Sequence, residues 1–215
     1  MNYEASRARM VREQLIPLGI TDPRVLEVMA KVPRHRFVQD ALWNQSYGDF
    51  CLPIGAGQTI SKPYVVARMT EALGLQGHES VLEIGTGCGY QTAVLASLAE
   101  RIFSVERIKA LHVQARQTLD KLHIINALCT VDDGTLGWQH YAPYDAIIVT
   151  AGGPDIPQPL IDQLADPGRL VIPVGERDTQ QLFLLEKRDG AIQRTPLDDV
   201  RFVSLIGDHG WNDAG

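Results

Sequence analysis

The run VLEIGTGCGYQTAVLA, residues 81–96, restricts the fold of this chain more than any other stretch. Residues 81–84 are short, apolar and β-rich. Gly85, Thr86, Gly87, Cys88 and Gly89 then turn, and the positions from Tyr90 onward carry helical spacing. A strand that passes through a tight turn into a helix is the opening unit of a doubly wound α/β sheet. Glycines at that turn let the backbone approach a ligand closely, and the start of the helix presents unpaired N–H groups to it. A turn with no ligand has no need of three glycines in five positions.

The remainder of the chain fits the same plan. RIFSVE, NALCTV, YDAIIV and GRLVIPV are further β-rich runs, with helical patterns at 90–99, 108–122 and 157–165 between them. That alternation predicts a mostly parallel sheet covered on both faces. The tail QLFLLEKRDGAIQRTPLDDVRFVSLIG holds a strand, an Asp-Gly turn and more strand-like sequence, which predicts an antiparallel edge. Ahead of the sheet, residues 4–16 form a weak amphipathic helix. TDPRVLEVMAKVPR is a clearer one, capped by Thr21 or Asp22, with Pro23 in its first turn and Pro33 as its stop. The expectation is a single Rossmann-like, doubly wound α/β domain. It divides into an N-terminal helical layer (1–50), a polar segment (51–79), a cofactor-binding core (80–175) and C-terminal strands (176–215).

Composition narrows the function classes. The 215 residues are 45% hydrophobic and carry a formal charge of −6, which argues against nonspecific nucleic-acid binding. No run reaches the ~18 apolar residues a membrane span requires, and the N-terminus lacks a signal-like apolar stretch. Cys51, Cys88 and Cys129 are odd in number and widely spaced, as free thiols of a cytoplasmic protein would be. The six histidines follow no metal-ligand spacing, so no metal is expected. The RHR cluster at 34–36 reads as a solvated helix end.

The spacing of the loop bears on its ligand. A dinucleotide fingerprint is G-x-G-x-x-G, whereas this loop is G-x-G-x-G, which counts against a nicotinamide-dependent dehydrogenase. Glu83 lies within the strand before the loop, and Glu106 ends the next strand. A carboxylate at the second position can accept both hydroxyls of a ribose, which fits an adenosine-containing cofactor.

LEIGTGCGYQTA, followed by SVERI and YDAIIVTAGG, resembles the class I S-adenosylmethionine-dependent methyltransferases. PIGAGQTISKPYVVARMTEAL and RLVIPVG resemble, more narrowly, the bacterial protein-L-isoaspartate O-methyltransferases, and the likeness runs from VPRHRFV to VRFVSLIG. The resemblance implies S-adenosyl-L-methionine as methyl donor and isoaspartyl-containing proteins and peptides as substrates, with a monomer acting alone. It places Gly85, Thr86, Gly87 and Gly89 under the methionine half of the cofactor with Glu83 beside it, Glu106 and Arg107 at the ribose, Asp133 and Gly134 at the adenine, and Thr150 at the end of the fourth strand. It makes Ser61 the active-site residue, with Thr59 and Ile60 around the reacting centre and Val203 and Ser204 lining the peptide groove. Asp132 stands where the family has glycine, a strained choice if that position has positive φ. From its position alone, Ser61 also reads as the cap of the following helix. A small-molecule or RNA methyltransferase on the same scaffold, or a relative that binds the cofactor without catalysis, remains an alternative.

Overall fold

The computed structural model describes residues 2–212. Helix α1 (Tyr3–Met10) is capped by Asn2, whose side chain accepts from the Ala5 N–H, and it widens into a π-helical turn over Val11–Leu15. Met10 and Leu15 are both buried there. Helix α2 (Pro23–Lys31) starts as its sequence predicts: the Asp22 carboxylate accepts from the Arg24 N–H at 2.8 Å, and Val25, Val28 and Met29 turn inward. The second cap on this helix comes from far along the chain. Glu71 accepts from the backbone N–H groups of Thr21 and Asp22 at 2.7 and 2.8 Å. Glu71→Ala leaves both donors to solvent and is expected to lower stability by roughly 1–2 kcal/mol. A shifted urea midpoint would register it, with Glu71→Gln losing about half as much.

The RHR cluster is not a solvated helix end. Arg34 is wholly buried, its Nε donates to the Ser46 carbonyl at 2.8 Å, and its guanidinium lies 5.0 Å from the Tyr90 ring centroid. His35 is buried as well, stacked on Tyr3 at 4.2 Å with its Nδ1 2.7 Å from the Tyr47 hydroxyl. Burial lowers the pKa of this imidazole, so the neutral form is favoured.

A hairpin follows that the sequence did not announce. Strands β1 (Leu52–Gly55) and β2 (Gln58–Ile60) pair antiparallel, with Leu52 opposite Ile60. Ala56 and Gly57 make the turn at φ 51° and 69°. Two positive φ values are what a two-residue hairpin needs to match strand twist. Helix α3 (Pro63–Leu73) follows and ends on Gly74 in the left-handed conformation.

From here strands and helices alternate: β3 (Ser80–Ile84), α4 (Tyr90–Ala96), β4 (Arg101–Glu106), α5 (Lys109–Lys121), β5 (Ala127–Val131), β6 (Tyr144–Val149), α6 (Gln158–Asp162), β7 (Leu164–Gly175), β8 (Gln180–Arg188) and β9 (Ala191–Val200). One seven-stranded sheet results, in the order β5-β4-β3-β6-β7-β8-β9. β3 pairs in parallel with both β4 and β6, while β8 runs antiparallel to β7 and β9. The chain thus steps outward from β3 to β5, then crosses back to start β6 on the other side of β3. Period-two alternation buries both faces. Val81, Ile102 and Ala146 pack under α3 and α4 with Met69 and Leu95, while Leu82, Phe103 and Ile147 pack on the opposite face with Leu160. Among the described residues, no helix is long and apolar enough to cross a membrane.

Candidate active site at the carboxyl edge of the sheet

In an open α/β sheet, ligands bind beyond the carboxyl ends of the strands where the strand order reverses. Here that point lies between β3 and β6, and a cleft of about 900 Å³, partly continuous with solvent, opens above it. Its floor is the glycine-rich loop. Its walls come from residues 58–61 at the exit of the hairpin, residues 105–108, Gly134, and residues 202–206 after β9.

Gly85 has φ 95°, and a Cβ there would collide with Thr150 Oγ1. The loop is held down from that side. The Thr150 hydroxyl sits 2.9 Å from the Ile84 carbonyl and 2.7 Å from that of Gly85, and the Gly85 N–H donates to Val105 at 2.8 Å. Thr150 lines the cleft, but its hydroxyl braces the loop and does not face a ligand. Gly89, also at positive φ, stands behind the wall; a Cβ there would sit 3.4 Å from Ala115 and Leu119, so its bareness lets α4 start close against α5. Gly87 and Thr86 do line the cleft, as does Cys88, whose thiol is pushed up to about 11 by burial and is therefore unreactive.

Glu106 is buried at the end of β4, where its two carboxylate oxygens accept from the N–H groups of Gly87 and Ile108 at 2.8 and 2.9 Å. Each oxygen keeps a further lone pair, so the group is held in place without being exhausted. Arg107 stands beside it at the exposed rim.

Glu83 does not line the cleft. It is fully buried beneath the loop, where Oε2 accepts from the hydroxyls of Thr92 (2.5 Å) and Ser104 (2.6 Å). Ser104 is in turn 2.6 Å from the Thr86 hydroxyl. Burial pushes the Glu83 carboxyl up to about 8, against the pull of its two hydroxyl donors. It is a protonated anchor under the loop at neutral pH.

Asp133 is also turned away. Its Oδ1 accepts from the backbone N–H and hydroxyl of Thr135, at 2.8 and 2.7 Å, and Oδ2 accepts from the Asp208 N–H at 2.7 Å. Asp132 has no positive φ, so the strain a departure from glycine might carry is absent; it simply accepts from the Asp133 N–H at 2.8 Å. Gly134 is the member of this segment that reaches the cleft.

Thr59, Ile60 and Ser61 all line the cleft. The capping role expected of Ser61 is not filled. The N-cap position of α3 is Lys62, with no side-chain cap bond, and the Ser61 hydroxyl makes no hydrogen bond among the described residues. On the opposite wall, Gly152 donates to the Val203 carbonyl and accepts from the Leu205 N–H, each at 2.8 Å. Alternate residues of an extended strand present their polar groups to opposite sides, so the N–H and C=O of Ser204 face away from Gly152, and among the described residues they are unpaired. Sequence reasoning missed Ile54, which packs over Gly87, because the hairpin that delivers it was not recognised. Among the described residues, no group of three or more His, Cys, Asp or Glu side chains could hold a metal.

A glycine loop and a strand-end carboxylate at the switch point of a mostly parallel sheet, with an antiparallel carboxyl-terminal edge, define the class I methyltransferases. A family model described as protein-L-isoaspartate(D-aspartate) O-methyltransferase matches residues 6–210. The chain is 58% identical over 211 residues to protein-L-isoaspartate O-methyltransferase 1 of Syntrophobacter fumaroxidans, covering 98% of this chain and 99% of that one. It is 53% identical over 212 residues to protein-L-isoaspartate O-methyltransferase of Geobacter metallireducens, covering 98% of each. A solved protein-L-isoaspartate O-methyltransferase superposes with a TM-score of 0.85 at 28% identity, over 95% of this chain and 67% of that one. A Plasmodium falciparum structure assigned to the same activity, solved with S-adenosyl-L-homocysteine, superposes at 0.79 and 28% identity, over 93% and 98%. The chain belongs to the protein-L-isoaspartate(D-aspartate) O-methyltransferase family.

Proposed function

We propose that the cleft joins S-adenosyl-L-methionine to an isoaspartyl side branch through the residues just described. Family membership sets the reaction. The enzyme methylates the free α-carboxylate of L-isoaspartyl residues in damaged proteins, using S-adenosyl-L-methionine, and so starts their repair through a succinimide. When bound, the cofactor supplies a methyl group on a sulfonium. Gly85, Thr86 and Gly87 would form the floor beneath it, Glu106 would accept from its ribose hydroxyls with Arg107 alongside, and Gly134, packed bare against Ile84, would line the end that takes its base. Glu83 and Thr150 act on that floor from below and from the side.

The chemistry asks little of the protein beyond alignment. An α-carboxyl group has a pKa of about 3.5, so the nucleophile is already an anion at neutral pH and no general base is needed. Holding two reactants in line can contribute on the order of 7–11 kcal/mol. Thr59, Ile60 and Ser61 do this from one wall, with the Ser61 hydroxyl free to donate to the carboxylate. The open N–H and C=O of Ser204, next to Val203, take the flanking peptide as an added strand. The observation that carries this reading is the convergence of residues 59–61, the glycine loop and residues 203–204 on one cleft. The odd number and wide spacing of Cys51, Cys88 and Cys129 support a reducing compartment such as the cytoplasm.

Paired peptides that differ only in an isoaspartyl or a normal aspartyl linkage, incubated with methyl-labelled cofactor, test the assignment. Base-labile label on the isoaspartyl peptide alone is the expected result. Equal labelling of both, or of neither, would overturn it.

A further inference from the structure

Gln91, in the first turn of α4, lines the cleft although its side chain is almost wholly buried. The direction of its amide follows from counting protons. The Thr70 hydroxyl donates its single proton to the Val66 carbonyl at 2.7 Å, since a carbonyl can only accept. The Thr70 oxygen must therefore accept from Gln91, which places the amide nitrogen Nε2 there, at 2.9 Å, and turns Oε1 the other way. Oε1 has no hydrogen-bond partner among the described residues, yet it is not sealed in the interior, so it opens onto the cleft. Thr70 is buried and is not part of the cleft lining.

The acceptor sits at a defined end of the cleft. Helix α3 packs against α4, β6 and β7, so Thr70 and Gln91 lie on the β6 side of the glycine loop. Glu106 ends β4, on the other side of β3, and Gly134 follows β5, farther out on that side. A cofactor with its ribose on Glu106 and its base toward Gly134 therefore extends its amino-acid half across the glycine loop toward Gln91. That half carries an ammonium, which brings donors and no acceptor. Glu83, the carboxylate expected beside it, is buried beneath the loop and does not line the cleft. The Thr86 hydroxyl is engaged with Ser104, and the Gly85 carbonyl with Thr150.

We infer that the Gln91 side-chain carbonyl accepts from the α-ammonium of the cofactor's methionine half, and that Thr70 is the positioning residue that keeps the carbonyl turned toward it. This deepens the cofactor reading given above and rests on it. A neutral acceptor suits the place: it holds the ammonium without adding an anion that would repel the substrate carboxylate.

S-adenosyl-L-homocysteine and its des-amino analogue, which keeps the carboxylate and lacks only the ammonium, isolate this contact. In Gln91→Leu the affinity for S-adenosyl-L-homocysteine, measured by calorimetry, is expected to fall roughly 10- to 100-fold, the effect of losing a hydrogen bond to a charged group, while that for the analogue stays within about twofold. Thr70→Val changes no side chain of the cleft lining and frees the amide to rotate; the same selective loss is expected there, at roughly three- to tenfold. The double variant should bind no worse than Gln91→Leu alone, because no amide is left to orient. A residue with a merely structural role would not distinguish the two ligands. Equal losses for both ligands would overturn the inference, and so would unchanged S-adenosyl-L-homocysteine affinity in Gln91→Leu. A raised KM for an isoaspartyl peptide at unchanged S-adenosyl-L-homocysteine affinity overturns it too and gives the carbonyl to the substrate. Should Gln91→Leu fail to fold, Thr70→Val carries the test: selective loss supports the inference, and equal loss or none overturns it. If the wild-type protein binds neither ligand, the cofactor reading itself fails and the inference falls with it.

Discussion

Replacement of Ser61 by alanine is expected to slow methyl transfer by about 10²–10³-fold, the usual loss for an oriented donor at the reacting centre. Affinity for S-adenosyl-L-homocysteine should stay within about twofold. The separation is expected because Ser61 is fixed without being used. Ile60 before it is buried, and Pro63 two residues on opens α3, so the backbone at residue 61 is gripped from both sides. Its hydroxyl nevertheless has no partner among the described residues and faces the cleft. A side chain with no internal bond carries little stability, so Ser61→Ala should unfold at the wild-type temperature, and slow turnover cannot be blamed on misfolding. Single-turnover rates at saturating cofactor and peptide measure the chemical step directly. A rate within threefold of wild type would mean that the hydroxyl contributes nothing to methyl transfer, and that the wall built by residues 59–61 acts by shape alone.

Ser61 also shows where reading the sequence stops. The strand–turn–helix at 81–96 was legible because it is local: apolar alternation, a glycine turn and helical spacing each leave a mark within a few residues. The same holds for the tail, where the Asp-Gly turn at Asp189 and Gly190 joins β8 to β9. The hairpin of β1 and β2 left a weaker mark, since alanine rarely takes the positive φ that Ala56 adopts, and Pro53 inside the strand argued against one. Side-chain direction was the larger gap. A glutamate in a strand, an arginine after a proline and a threonine at a strand end look alike whether they face a ligand, a core or a loop. The structure turns Glu83 under the floor, buries Arg34 against Tyr90 and spends the Thr150 hydroxyl on the loop backbone. The partner of Asp133 lies seventy-five residues away, beyond any local signal.

Glu83 gives the second large effect, and its sign follows from burial. The folded protein holds this carboxyl protonated up to about pH 8, whereas an exposed glutamate in the unfolded chain releases its proton near its ordinary pKa of 4.5. Between those limits the native state binds the extra proton, so stability falls as pH rises from 4.5 to 8, then levels off once both states are ionised. Each pH unit in that window is worth up to 1.36 kcal/mol, so the decline is on the order of several kcal/mol. Glu83→Gln keeps an oxygen for the Thr92 and Ser104 hydroxyls but has no proton to lose. Its stability, from urea denaturation between pH 5 and 9, should be nearly flat where the wild type declines, and by pH 8 the variant should be the more stable protein. Glu83→Leu takes the acceptor away from both hydroxyls, and the loop above, tied to Ser104 through Thr86, should then lose order along with cofactor affinity. The contrast separates the two demands on this position. If wild type and Glu83→Gln show the same pH dependence, the carboxyl is ionised in the fold, and the floor of the cofactor site rests on a buried anion instead of a neutral acid.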